Sequence, residues 1–80
     1  MTETKQWELR IFNDDYNSFD WCIQCLMETM GYGFDQSEQI ILIAHLRGSA
    51  AITQREFSND LVKKKNDLKK RGLTITFFPK

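Results

Sequence analysis

The residues best equipped for chemistry are Asn13, Asp14, Asp15 and Tyr16, four in a row between an apparent strand and an apparent helix. An amide and carboxylates gathered at a strand end are hydrogen-bond acceptors, and together they can hold a cation. About thirty residues later comes the only histidine, His45, at the end of a very apolar stretch. A neutral imidazole offers one more acceptor. Ile41 lies four residues before His45, so both share a helical face. An imidazole bordering an aliphatic wall makes a reasonable rim for a ligand with a polar head and an apolar tail.

A second constellation is Trp21-Cys22-Ile23-Gln24-Cys25. A C-x-x-C that follows a strand and opens a helix is the layout of thioredoxin- and glutaredoxin-like dithiol oxidoreductases, so Cys22 and Cys25 form the alternative site. Here the pair comes one turn into the helix, where the end dipole has faded. Cys22 also falls on the apolar stripe with Phe19, Ile23 and Leu26. Such folds place a cis-proline opposite the thiols, and the single proline, Pro79, is almost the last residue. The plainer reading is two small apolar fillers in or near the core.

Other chemistries lack their residues. A zinc site needs about four ligands, and two cysteines with one histidine show no ligand spacing. No Gly-flanked serine elbow and no Gly-rich phosphate loop exist. We therefore expect no enzyme, no metal and no cofactor.

Eighty residues make one small domain, and 41% hydrophobic residues with 12% aromatics mark it as globular. No apolar run approaches the roughly 18 residues that a membrane span needs. Met1 to Gln6 are polar and lack the apolar core of a signal peptide. A cytoplasmic protein without a membrane partner is the expectation. The net charge is zero, yet residues 1–40 carry eight acids and two bases, whereas residues 41–80 carry three acids and nine bases. The basic excess sits in Lys63-Lys64-Lys65 and Lys69-Lys70-Arg71. No aromatics interleave with it, so it reads as a solvated helix face whose cations suit the macrodipole, and not as a nucleic-acid surface.

The elements that must position these residues follow from periodicity. Trp7, Leu9 and Ile11 alternate with polar residues, as in a half-buried strand. Asn13 to Asn17 form a polar loop, and Asn17 or Ser18 caps a helix with Asp20 in its first turn. Phe19, Cys22, Ile23, Leu26, Met27 and Met30 line one face of that helix, which ends at Gly31-Tyr32-Gly33. Asp35-x-x-Glu38 reads as a capping box opening a second helix. Its run Ile40 to Ile43 predicts burial on more than one side. Ser49 to Ile52 form a short strand. Thr53-x-x-Glu56 reads as another capping box, starting a helix that runs to Arg71 with Gly72 just beyond. Leu73, Ile75 and Phe77 then alternate in a last strand. The predicted fold is α+β: a small two-layer β-α-α-β-α-β domain, with three helices packed on a three-stranded antiparallel sheet. A short polar arm, residues 1–6, precedes a single domain, residues 7–80.

Asn13-Asp14-Asp15-Tyr16 between strand and helix, the aliphatic helix ending in His45-x-x-Gly48, and the Gly72-Leu73 entry to a last strand resemble the bacterial adaptor family ClpS over about residues 7–78. The resemblance implies a non-enzymatic adaptor. It would bind N-degrons, the free N-termini of proteins that begin with Leu, Phe, Tyr or Trp. It would deliver those substrates to a Clp AAA+ unfoldase of the ClpA or ClpC type, its second partner. It implies that Asn13, Asp14 and His45 hold the α-amino group. It also implies that Asn17, Phe19, Cys22, Ile41 and Leu73 line the hydrophobic pocket. Phe19 stands where that family often carries methionine. The same elements leave open a related fold used only for protein contacts, such as the C-terminal domain of a ribosomal stalk protein.

The physics of the residues agrees with the implied role. An α-amine has a pKa of about 8 and is mostly cationic at neutral pH. Three acceptors can satisfy its three hydrogens, whereas an internal peptide nitrogen offers one hydrogen and no charge. Burying a Leu or Phe side chain adds roughly 1.5–3 kcal/mol. Together these terms suit a micromolar, reversible grip.

Overall fold

A computed structural model describes residues 6–79 of the chain. Its elements are β1 (Gln6–Phe12), α1 (Phe19–Met30), α2 (Phe34–Arg47), β2 (Ser49–Glu56), α3 (Asn59–Lys70) and β3 (Thr74–Pro79). The expected β-α-α-β-α-β order is present. Of the expected polar arm, residues 1–5 lie outside the described residues.

β1 is the central strand of an antiparallel sheet ordered β2-β1-β3. Its alternation decides this: Leu9 and Ile11 are buried against the helices, joined there by Ala50 and Ile52 of β2 and Ile75 of β3. α2 lies against β2 and β1, α3 lies against β3, and α1 packs against α2 and α3. Ile23, Leu26, Ile41, Leu61 and Leu68 bring the three helices into the same core.

Local signals set most helix ends. The Ser18 hydroxyl accepts from the Trp21 amide at 3.1 Å, and the Ser58 hydroxyl accepts from the Leu61 amide at 3.1 Å. Each therefore satisfies one donor that a helix start leaves unpaired. α3 ends in a Schellman motif: the Gly72 amide donates to the Lys69 carbonyl and the Leu73 amide to the Leu68 carbonyl. That motif needs the left-handed φ of +94° that Gly72 adopts.

Three expectations give way. Thr53-x-x-Glu56 does not start a helix; β2 continues through these residues, pairing Thr53 with Leu9 and Glu56 with Gln6. A seven-residue central strand leaves backbone groups that a four-residue partner could not satisfy. Between Leu9 and Arg10 the register slips, because Thr53 and Ala51 face them and Ile52 is the extra residue of a bulge. Asp35 is not a cap either: α2 begins at Phe34 with Gly33 as its N-cap, and Asp35 sits in the first turn, where its charge suits the macrodipole. Finally, α2 is buried on one side only. Ile40, Ile41 and Ala44 face the core, whereas Leu42 and Ile43 are exposed and Leu46 is 73% exposed. One sheet and one neighbouring helix cover about half of a helix surface, whatever the residues on the other half.

Candidate functional site

The loop after β1 is tied to both neighbouring corners of the fold. The Asn13 amide donates to the Gly48 carbonyl at 2.9 Å. Gly48 ends α2 with a φ of +93°, so this bond brings the last turn of α2, and with it His45, to the loop. On the other side the Asn17 side-chain amide donates to the Gly72 carbonyl at 2.8 Å, and the Trp21 indole donates to the Arg71 carbonyl at 3.1 Å. These hold the loop and the start of α1 against the turn between α3 and β3.

Asp14 is the centre of that anchorage. One carboxylate oxygen accepts from the backbone amides of Tyr16 and Asn17, both at 2.9 Å. The Asn17 side-chain amide reaches both oxygens, at 3.1 and 3.0 Å, and the Thr74 hydroxyl donates to the second at 3.2 Å. The bonds to residues two and three ahead make an Asx turn. Partial burial pushes the Asp14 carboxyl up, but the bonds from Asn17, Tyr16 and Thr74 outweigh it, and the group ends below the usual carboxylate range.

Above this loop lies a cavity of about 190 Å³. Its polar lining is Asn13, Asp14, Asp15 and His45. Asn17 lies beside them, and the walls are Ile11, Phe12, Phe19, Cys22, Ile41 and Ala44. The Phe19 ring stands at 88° to the His45 imidazole, 6.3 Å between centroids. α1 and α2 form a hairpin through residues 31–33, so the start of α1 meets the end of α2 at this spot. The loop and the lone imidazole do converge over an apolar hollow.

Seven of the eight residues singled out from the sequence line this cavity. Leu73 does not: its side chain is 4% exposed and belongs to the core, because the Schellman turn points it inward before β3 begins. Asp14 also departs from expectation. It lines the cavity, but its two oxygens already accept from four donor groups within the fold, so its first task is to shape the loop. Asp15, named in the acidic run but given no role by the resemblance, lines the cavity and makes no hydrogen bond among the described residues. The signal was available: in Asp14-x-x-Asn17 the first acid is the one placed to close an Asx turn, which leaves the second for other work. Ala44 was also legible, three residues after Ile41 on the same helical face.

The thiols are not built for redox chemistry. Cys25 is 0% exposed, and burial pushes its thiol up. Cys22 lines the cavity, and burial, reinforced by the charge of Asp14, raises its thiol to about 11. Both stay protonated at neutral pH, the opposite of a catalytic thiol. Among the described residues no group of three His, Cys, Asp or Glu is arranged to hold a metal ion. No helix among them is long and apolar enough to cross a membrane.

A model of the family described as "ATP-dependent Clp protease adaptor protein ClpS" matches residues 2–76. Comparison with curated proteins returned no match. Among solved structures, Agrobacterium tumefaciens ClpS2 bound to L-phenylalaninamide is similar with a TM-score of 0.83 at 24% identity, covering 98% of this chain and 100% of that one. At that identity the likeness speaks for the fold.

Proposed function

The chain belongs to the ClpS family of ATP-dependent Clp protease adaptors, and from that premise we propose that it reads the first residue of other polypeptides. It binds a free N-terminus that begins with Leu, Phe, Tyr or Trp, and it hands that polypeptide to a Clp unfoldase of the ClpA or ClpC type. One observation carries the reading: Asn13, Asp15 and His45, each able to offer an acceptor, line the same cavity as Ile11, Phe12, Phe19, Cys22, Ile41 and Ala44.

The chemistry follows from that arrangement. An ammonium group brings three donors, and the Asn13 carbonyl oxygen, an Asp15 oxygen and an unprotonated His45 nitrogen supply three acceptors. Asp14 holds the loop in shape and adds negative charge behind it. The first side chain enters between Phe19, Cys22 and Ile41, where leaving water contributes roughly 1.5–3 kcal/mol for a residue of that size. The relative from Agrobacterium tumefaciens offers a parallel, since L-phenylalaninamide joins a free amine to an aromatic side chain. A cation bonded to charged acceptors is worth more than a neutral pairing, so the amine selects chain starts and the hollow selects their size.

Fluorescence anisotropy tests the reading with peptides that begin with Leu or Phe, each against its N-acetylated form. Acetylation removes the charge and two of the donors, so we expect at least about a tenfold loss, equivalent to about 1.4 kcal/mol. Equal binding of both forms refutes the proposal.

A further inference from the structure

A captured ammonium group does not use every acceptor of the cavity. Asn17 is half-buried and lines it, and its side-chain amide is held from one end. Nδ2 donates to the two Asp14 oxygens at 3.1 and 3.0 Å and to the Gly72 carbonyl at 2.8 Å. Three acceptors around one nitrogen fix the sense of the amide, because the flipped group would set Oδ1 against three oxygens. Oδ1 is therefore the end left for other work, and it accepts no hydrogen bond among the described residues. Gly72 has no side chain to cover it: a Cβ there would stand 3.6 Å from Oδ1. Among the described residues, the fully buried side-chain polar atom without a partner is Ser37 Oγ, so Oδ1 stays accessible in a residue that opens on the cavity.

The two anchors of the loop set Oδ1 apart from the acceptors of the amine. The Asn13 amide bonds to Gly48 on the His45 side, whereas the Asn17 side chain bonds to Gly72 on the other. Two residues beyond Asn17, α1 begins at Phe19, and Phe19 and Cys22 belong to the apolar wall. An acceptor on that wall meets the first side chain of a bound polypeptide. The other polar groups there are engaged or weak: Asp14 already accepts from four donor groups, and a thiol such as that of Cys22 is a poor acceptor. We infer that Asn17 Oδ1 reads the first side chain by accepting a hydrogen bond from the phenol of Tyr, so that the cavity ranks Tyr above Phe. Against a wall without an acceptor the same hydroxyl would be buried unpaired, and Tyr would fall below Phe. The role rests on the proposed capture of N-termini and adds a polar test of the side chain to the test of the amine.

Calorimetry compares L-phenylalaninamide, L-tyrosinamide and para-fluoro-L-phenylalaninamide, whose fluorine occupies the place of the hydroxyl but donates nothing, on the wild type and Asn17→Leu. We expect the wild type to bind the tyrosine amide about three- to tenfold more tightly than the fluoro amide, as one neutral hydrogen bond allows. In Asn17→Leu that ratio should fall to about one or below. The ratio is taken within one protein, so a general loss of affinity cancels. A crystal structure of the wild type with L-tyrosinamide decides the matter even where the variant does not fold: the phenol oxygen should lie within about 3 Å of Asn17 Oδ1. If L-phenylalaninamide binds and the wild type shows no preference for the phenol, the role of Asn17 is overturned while the capture of N-termini stands. The same holds if the preference survives in Asn17→Leu, or if the phenol oxygen lies beyond hydrogen-bond reach of Oδ1. If none of the three amides binds the wild type, the capture of N-termini fails, and this role fails with it.

Discussion

The division of labour between Asp14 and Asp15 is open to direct measurement. Asp14→Ala removes the acceptor of four donor groups, two backbone amides, the Asn17 side-chain amide and the Thr74 hydroxyl. The Tyr16 amide is exposed and finds water. The Asn17 groups are partly buried and do so less readily. Bonds to a charged acceptor are worth about 1.5–3 kcal/mol each, less where water competes, so we expect a total near 2–4 kcal/mol. Unfolding entropy for a domain of 80 residues is about 170 cal/mol/K, so 1 kcal/mol moves Tm by about 6 °C. Thermal unfolding followed by circular dichroism at pH 7 should therefore show a fall of about 12–24 °C. Asp15→Ala, which breaks none of these bonds, should stay within about 3 °C of wild type and yet weaken binding of a Phe-initiated peptide about tenfold. The pH dependence has a definite sign. The folded Asp14 carboxyl lies below its unfolded value. Its contribution is therefore complete above the unfolded value of about 3.9 and is lost as the pH falls through the lower folded one. The gap between wild type and Asp14→Ala should narrow in acid. A Tm for Asp14→Ala within about 3 °C of wild type at pH 7, or a gap that does not change on acidification, refutes the assignment.

Further outcomes follow from the same geometry. Asn13→Ala should abolish peptide binding while Tm stays within a few degrees, because the bond to Gly48 uses the Asn13 backbone amide; a large stability loss points instead to a structural side chain. His45→Ala should weaken binding of a Phe-initiated peptide about tenfold; unchanged affinity removes His45 from the site. With the Cys22 thiol at about 11, roughly one molecule in 10⁴ carries the thiolate at pH 7, so Ellman's reagent should react slowly until the protein is unfolded. Rapid reaction in the native state contradicts the described environment. Ser58→Ala should cost about 1 kcal/mol and about 6 °C in Tm through loss of the α3 cap, with no change in affinity.

What the sequence determined by itself was most of what depends on near neighbours. Alternation in Trp7-Leu9-Ile11, the cap at Ser18, and the glycines after each helix act within about four residues, and they set the order of the elements. The polar loop and the apolar stripe of α1 were legible for the same reason, and Ile41 and His45 four residues apart already shared one wall. Tertiary structure decided whatever needs a partner distant in the chain. β2 runs to Glu56 because β1 has seven residues to pair, although Thr53-x-x-Glu56 has the local form of a helix start. Leu42, Ile43 and Leu46 face outward because the sheet covers only one side of α2, and Leu73 enters the core because the Gly72 turn aims it there. Asp14 and Asp15 are chemically alike. Asn17, itself held by the Gly72 carbonyl of the α3–β3 turn, and Thr74 donate to the first and leave the second lining the cavity, a distinction that only the folded backbone can make.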